Sequence, residues 1–247
     1  MLKNITLQIV PDYNTLSQTA AQLFAKAVNA NPTGTYGFAT GGTPEGMYEI
    51  LTKMSNTKEV DLTQITAFNL DEYVSLSQDN PQSYCYYMAK RLFDPTGVPT
   101  QNRHIPRGDA SCPHTESAAY EQKIAESGGI DLQILGIGTN GHIGFNEPAD
   151  TFAGQTAYVA LAEETIYANA RYFSDFTDVP KFAISMGMQT IMMAKTLLLL
   201  ASGDSKAKIL RKALMGPITP LVPASALQMH RNVIVIADKA AAKYLTD

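Results

Sequence analysis

No tryptophan occurs in the 247 residues, and cysteine occurs only twice, at Cys85 and Cys112. Two cysteines in a chain this long do not make a disulfide framework, and the expectation is reduced thiols in a cytoplasmic protein. There is no block of Lys or Arg, and the formal net charge is −4. That speaks against nucleic acid or an anionic membrane as the main partner, but leaves a small anionic ligand open. The densest apolar run, TLLLLAS (196–202), is far shorter than a membrane span. The opening MLKNITLQIVPDYN has neither the apolar core nor the small-residue cleavage site of a signal peptide. No repeat, low-complexity tract or Pro/Gly/Ser linker divides the chain, so one α/β domain over residues 1–247 is expected.

What is present alternates. Strand-like ITLQIV (5–10), TYGFAT (35–40), QITAFNL (64–70), DLQILGIG (131–138), KFAISMG (181–187), TLLLLAS and NVIVIAD (232–238) are separated by stretches with helical spacing at 14–31, 44–54, 83–93, 114–129, 163–173, 188–195 and 205–215. A short helix is expected after the last strand. Thr43 and Thr115 read as helix caps, with Pro44 at a first helical position. The alternation predicts a three-layer α/β fold: a mainly parallel, Rossmann-like sheet with helices on both faces. In such sheets ligands bind outside the carboxyl ends of the strands. Here those ends carry Thr40-Gly41-Gly42-Thr43, Asp71-Glu72-Tyr73, and the loop after Gly138.

Each of these offers chemistry. Gly41 and Gly42 precede a helix whose free N–H groups suit an anion, although no Gly-Lys-Ser/Thr follows to make a P-loop. Lys206 falls in the first turn of a helix, where a cation opposes the dipole unless an anion is near. Arg171 stands in the weakly charged ANARYF. Together they suggest a monophosphate site. The adjacent acids Asp71 and Glu72 could be a solvated corner, a general base or metal ligands, and the scattered histidines make metal the weaker option. In LGIGTNGHIGFNEPAD (135–150), His142 can take and give a proton, and Asn140 and Glu147 could hold its ring nitrogens. The stretch contains G136-x-G138-x-x-G141, but no helix start and no distant acid follow, so a dinucleotide site is set aside.

TGGTP (40–44), LDEY (70–73), GIGTNGHIGFNEP (136–148), ANARYF (168–173) and GDSK (203–206) together resemble the glucosamine-6-phosphate deaminase family, in the family's order and through nearly the whole chain. The resemblance implies conversion of glucosamine 6-phosphate and water to fructose 6-phosphate and ammonium, with no cofactor and no metal. His142 would open the sugar ring, with Glu147 and Asn140 orienting it. Asp71 would move the proton from C2 to C1, with Glu72 its neighbour. Thr40, Gly41, Gly42, Thr43, Arg171 and Lys206 would hold the phosphate. The chain departs from many family members in carrying Asn140 where they carry Asp. It also has no Lys or Arg in AGQTAYVALAEE (153–164) and stops at Asp247, so a monomer or simple homo-oligomer without activation by N-acetylglucosamine 6-phosphate is expected. Residues 150–185 are read as a candidate lid. A 6-phosphogluconolactonase, a galactosamine-6-phosphate deaminase and a non-catalytic sugar-phosphate sensor stay open as alternatives.

Overall fold

The computed structural model describes residues 4–245. Ten strands and eight helices alternate along them. They run β1 (Ile5–Val10), α1 (Tyr13–Ala30), β2 (Thr35–Phe38), α2 (Gly42–Asn56), β3 (Thr66–Asn69), β4 (Asp71–Tyr73), α3 (Tyr84–Met88), α4 (Asp94–Thr96), β5 (Arg103–His104) and α5 (Pro113–Glu126). Then come β6 (Leu132–Leu135), β7 (Ala157–Ala160), α6 (Glu163–Asn169), β8 (Phe182–Ser185), α7 (Met188–Met192), β9 (Thr196–Ala201), α8 (Ala207–Met215) and β10 (Val233–Asp238).

Seven strands form one sheet in the order β1-β10-β9-β6-β2-β3-β5, and every pair in it is parallel. Strands β2, β6 and β9 read as nearly unbroken apolar runs and are buried along almost their whole length, as strands covered on both faces must be. The chain steps outward from β2 to β3 and β5, then returns to β6 on the other side of β2. Right-handed crossovers therefore put α1, α2 and α3 on one face and α5 and α8 on the other. The reversal opens a crevice at the carboxyl ends of β2 and β6, where a ligand site belongs in such a sheet.

Several local expectations are corrected. Helix α2 begins at Gly42, not Pro44, and its N-cap is Gly41 at φ +97 with no side-chain cap bond. Thr43 therefore lies inside the helix. Likewise α5 starts at Pro113 with Cys112 at its N-cap, which displaces Thr115. The 83–93 helix passes into a π-helical turn at Ala89–Phe93 before α4. Lys206 closes a 3-10 turn, Asp204–Lys206, just ahead of α8. After β10 the described residues form turns rather than a helix.

The main correction concerns a second sheet. Asp71-Glu72-Tyr73 does not prolong β3. It forms β4 of an antiparallel sheet ordered β4-β8-β7. This sheet stands over the carboxyl ends of the parallel one: Leu70 N donates to Phe38 O at 2.9 Å and Met186 N donates to Leu70 O at 2.8 Å. Strands β7 and β8 come from the stretch read as a lid. They are pinned in this sheet, and residues 150–156 and 161–181 of the stretch lie outside it.

Candidate active site

The two sheets enclose a cleft of about 800 Å³. Thr40, Gly41, Gly42 and Thr43 line it from the end of β2, Gly136 to Asn140 from the end of β6, and Asp71 and Tyr73 from β4. His142, Arg171 and Lys206 complete the set of lining residues expected from sequence.

The loop after β6 is tied to itself. Gly138 N donates to His142 O at 2.9 Å and Gly141 N to Gly138 O at 3.1 Å. A side chain at Gly138 would place its Cβ 2.3 Å from the imidazole Cε1, so the ring lies against bare backbone. Gly144, at φ +57, leaves room for the Asp71 carboxylate, whose Oδ2 would be 3.2 Å from a Cβ there. Asn146 donates to both Ile143 O at 2.7 Å and Met186 O at 2.8 Å, joining the loop to the second sheet.

His142 Nδ1 lies 3.3 Å from Glu147 Oε2, which leaves Nε2 for the cleft. Asn140 does not reach the ring, contrary to expectation. Its amide donates to Glu147 Oε2 at 2.8 Å, and its carbonyl accepts from the His142 backbone N at 3.1 Å. It therefore fixes the carboxylate and the loop rather than the imidazole. Thr165 completes the arrangement, donating to Glu147 Oε1 at 2.5 Å. Burial opposes ionisation of Glu147, but the imidazole, the Thr165 hydroxyl and the Asn140 amide outweigh it and hold the carboxyl down to about 2. An ionised carboxylate thus stands behind the imidazole throughout the physiological range.

Asp71 and Glu72 point opposite ways, as successive strand residues do. Glu72 is 1% exposed, accepts from Tyr73 N, Tyr84 N and Cys85 N at 2.8–2.9 Å, and so caps α3 behind the cleft. It is absent from the lining, which corrects its placement among the ligand-binding residues. Asp71 is 5% exposed and faces the cleft. Among the described residues no N–H or O–H donates to its carboxylate. Burial, with the nearby Glu72 charge adding to it, pushes Asp71 up to about 8. A buried carboxyl without donors costs free energy unless a ligand supplies the partner.

The anion side is cationic. Helix α2 presents its N-terminus, and Lys206 has no acidic partner among the described residues. Burial holds the Lys206 amine below its ordinary value. Among the described residues Arg171 donates to the Tyr172 hydroxyl alone, at 2.8 Å. Sequence reasoning missed the aromatic wall between the two ends: Tyr73, Tyr84, Phe145 and Phe173 pack ring to ring, with Tyr84 and Phe145 nearly parallel at 6.2 Å. It also missed Thr165, a single hydroxyl in a stretch read as a helix, where nothing in the spacing sets it apart. Among the described residues no group of three or more His, Cys, Asp or Glu side chains is placed to hold a metal ion. No helix among them is long and apolar enough to cross a membrane.

The family of glucosamine-6-phosphate isomerases and 6-phosphogluconolactonases matches residues 12–236. The chain is similar to a glucosamine-6-phosphate deaminase of Rhodopirellula baltica, 46% identical over 98% of this chain and 96% of the relative. A second such enzyme, from Clostridium acetobutylicum, is 47% identical over 96% and 98%. The solved structure of a monomeric glucosamine-6-phosphate deaminase superposes with TM-score 0.93 at 45% identity, covering 96% of this chain and 99% of that one. A 6-phosphogluconolactonase from Trypanosoma cruzi shares the fold at TM-score 0.79 and 18% identity, over 100% and 99%.

Proposed function

The chain belongs to the family of glucosamine-6-phosphate isomerases and 6-phosphogluconolactonases, and from that membership we propose that it converts glucosamine 6-phosphate and water to fructose 6-phosphate and ammonium. The observation that carries this reading is Asp71, a buried carboxyl with no donor among the described residues, facing the cleft that His142 also lines. A C2 ammonium on the substrate supplies the counter-charge that Asp71 lacks, which draws its proton off and readies it as a base. A lactone offers no such cation.

The phosphate lies against the N-terminus of α2, between Lys206 and Arg171, with Thr40 and Thr43 beside it. His142, its Nδ1 backed by ionised Glu147, moves a proton to the ring oxygen as the pyranose opens. Asp71 takes the C2 proton, a proton passes from the C2 ammonium to O1 to give an enolamine, and Asp71 returns its proton at C1, which leaves an iminium at C2. Water adds to that carbon, ammonia leaves with the C–N pair and is protonated, and the ketose remains. Asn140 and Thr165 keep Glu147 aimed at the imidazole. No step calls for a metal or a cofactor.

Residues 161–181, between β7 and β8, supply Glu164, Thr165, Asn169, Arg171, Tyr172 and Phe173 to the wall. The proposal includes closure of this segment over the bound sugar, which excludes water until the iminium forms. A non-reactive substrate analogue is expected to slow proteolysis at 161–181, and equal cleavage with and without it refutes closure. The proposal also includes a cytoplasmic monomer or simple homo-oligomer acting on a small molecule, with neither nucleic acid nor membrane as partner. The net charge of −4 supports this, as does the monomeric state of the solved relative.

The test is to incubate the purified chain with glucosamine 6-phosphate and measure ammonium and fructose 6-phosphate together. Equal yields, abolished in Asp71→Asn, are expected. If neither product forms, the reading falls, and hydrolysis of 6-phosphogluconolactone is assayed in its place.

A further inference from the structure

The anion end of the cleft has only two peptide N–H groups from the start of α2. Gly42 and Thr43 each carry one, and Pro44 carries none. Neither has a partner within the helix, as for any first-turn N–H. The carbonyls of the same two peptide planes are both held by tyrosine hydroxyls. Tyr87, from α3, donates to Gly41 O at 2.9 Å. Tyr13, from the first turn of α1, donates to Gly42 O at 2.9 Å and accepts from Gly46 N at 2.9 Å.

A trans peptide is planar, with its C=O and N–H pointing in opposite directions, and no peptide in the described residues is cis. Fixing Gly41 O therefore aims Gly42 N–H, and fixing Gly42 O aims Thr43 N–H. The need is real because Gly41 sits at φ +97 and open space surrounds Cβ positions built at Gly41 and Gly42. No side chain there restrains the turn. The clamp itself is braced. At Gly46 a Cβ would lie 3.1 Å from the Tyr13 hydroxyl and 2.5 Å from Ser17 Oγ, so glycine lets α1 approach. Arg91, on the π-helical turn, pairs with Glu45 in the first turn of α2 at 2.6 Å and lies over the Tyr87 ring.

We propose that Tyr13 and Tyr87 are positioning residues that preorganise the two α2 N–H groups for a phosphate dianion. This rests on the reading of the cleft as a sugar-phosphate site. The mechanism assigns neither residue a proton, and neither hydroxyl needs to touch the substrate to act.

The test uses Tyr13→Phe, Tyr87→Phe and the double variant in the intact chain, with inorganic phosphate as the probe, titrated calorimetrically. Each single variant is expected to weaken phosphate binding by about two- to tenfold, the range for loss of one hydrogen bond. The KM for glucosamine 6-phosphate rises by the same factor, kcat stays within about twofold, and the double variant compounds the loss. Unchanged phosphate affinity in the folded variants overturns the proposal, as does a loss confined to kcat. Should one variant fail to fold, the other decides. Wild-type chain that binds phosphate but releases no ammonium defeats the deaminase reading while the clamp is still judged by the titration.

Discussion

Asp71 sets function against stability at a single carbon chain. Its carboxyl is raised from 3.8 to about 8 by burial and by Glu72, so between those values the folded protein holds a proton that the unfolded chain releases. Proton binding that favours the folded state stabilises it at low pH, and the contribution is lost as pH rises toward 8. Asparagine has no proton to lose. Asp71→Asn is therefore expected to melt above the wild type at pH 8, with the gap closing toward pH 4, while losing deaminase activity. Melting curves that run parallel across that range would contradict the assignment. Glu147 behaves oppositely: held down from 4.5 to about 2, it contributes stability that is present above 4.5 and is lost progressively as pH falls toward 2. The pair shows how two neighbouring carboxyls are set apart by their surroundings, one kept short of donors and one given two donors and an imidazole at 3.3 Å.

At the scale of elements, the loop between β6 and β7 owes its geometry to glycines that leave room for functional groups. Gly138→Ala places a Cβ where the His142 ring lies, so the ring must leave its present seat beside Glu147. The expected result is a fall in kcat of about a hundredfold with little change in melting temperature, measured by steady-state rates and a thermal scan. Full activity would mean the ring does not need its present seat. This loop was legible in the sequence because glycine, histidine and a carboxylate together have few bland explanations. The parallel strands were legible too, since burial on both faces leaves unbroken apolar runs such as TLLLLA. The second sheet was not. β4 has three residues and β7 four, too few to show alternation, and their pairing comes from partners distant in the chain. That is why Asp71-Glu72 read as one acidic corner, when the pleat sends one carboxyl into the cleft and the other under α3. Thr43 misled for a different reason: a good cap residue matters less than a glycine that can adopt φ +97.

Across the whole molecule, the segment 153–164, which carries no Lys or Arg, is occupied by β7 and the start of α6. Initial-rate curves are expected to be unmoved by N-acetylglucosamine 6-phosphate, and a leftward shift on adding it would refute this. The layout of the two sheets has a further consequence. On the proposed reading, the α2 and Lys206 part of the anion grip follows the parallel sheet and the base Asp71 lies on the antiparallel one, and a single residue, Leu70, links β3 to β4. The molecule is thus a caliper, one jaw on each sheet, whose opening is set by the hydrogen bonds on either side of Leu70. On the proposed reading, a substrate is gauged by the number of carbons between its phosphate and its acidic C–H.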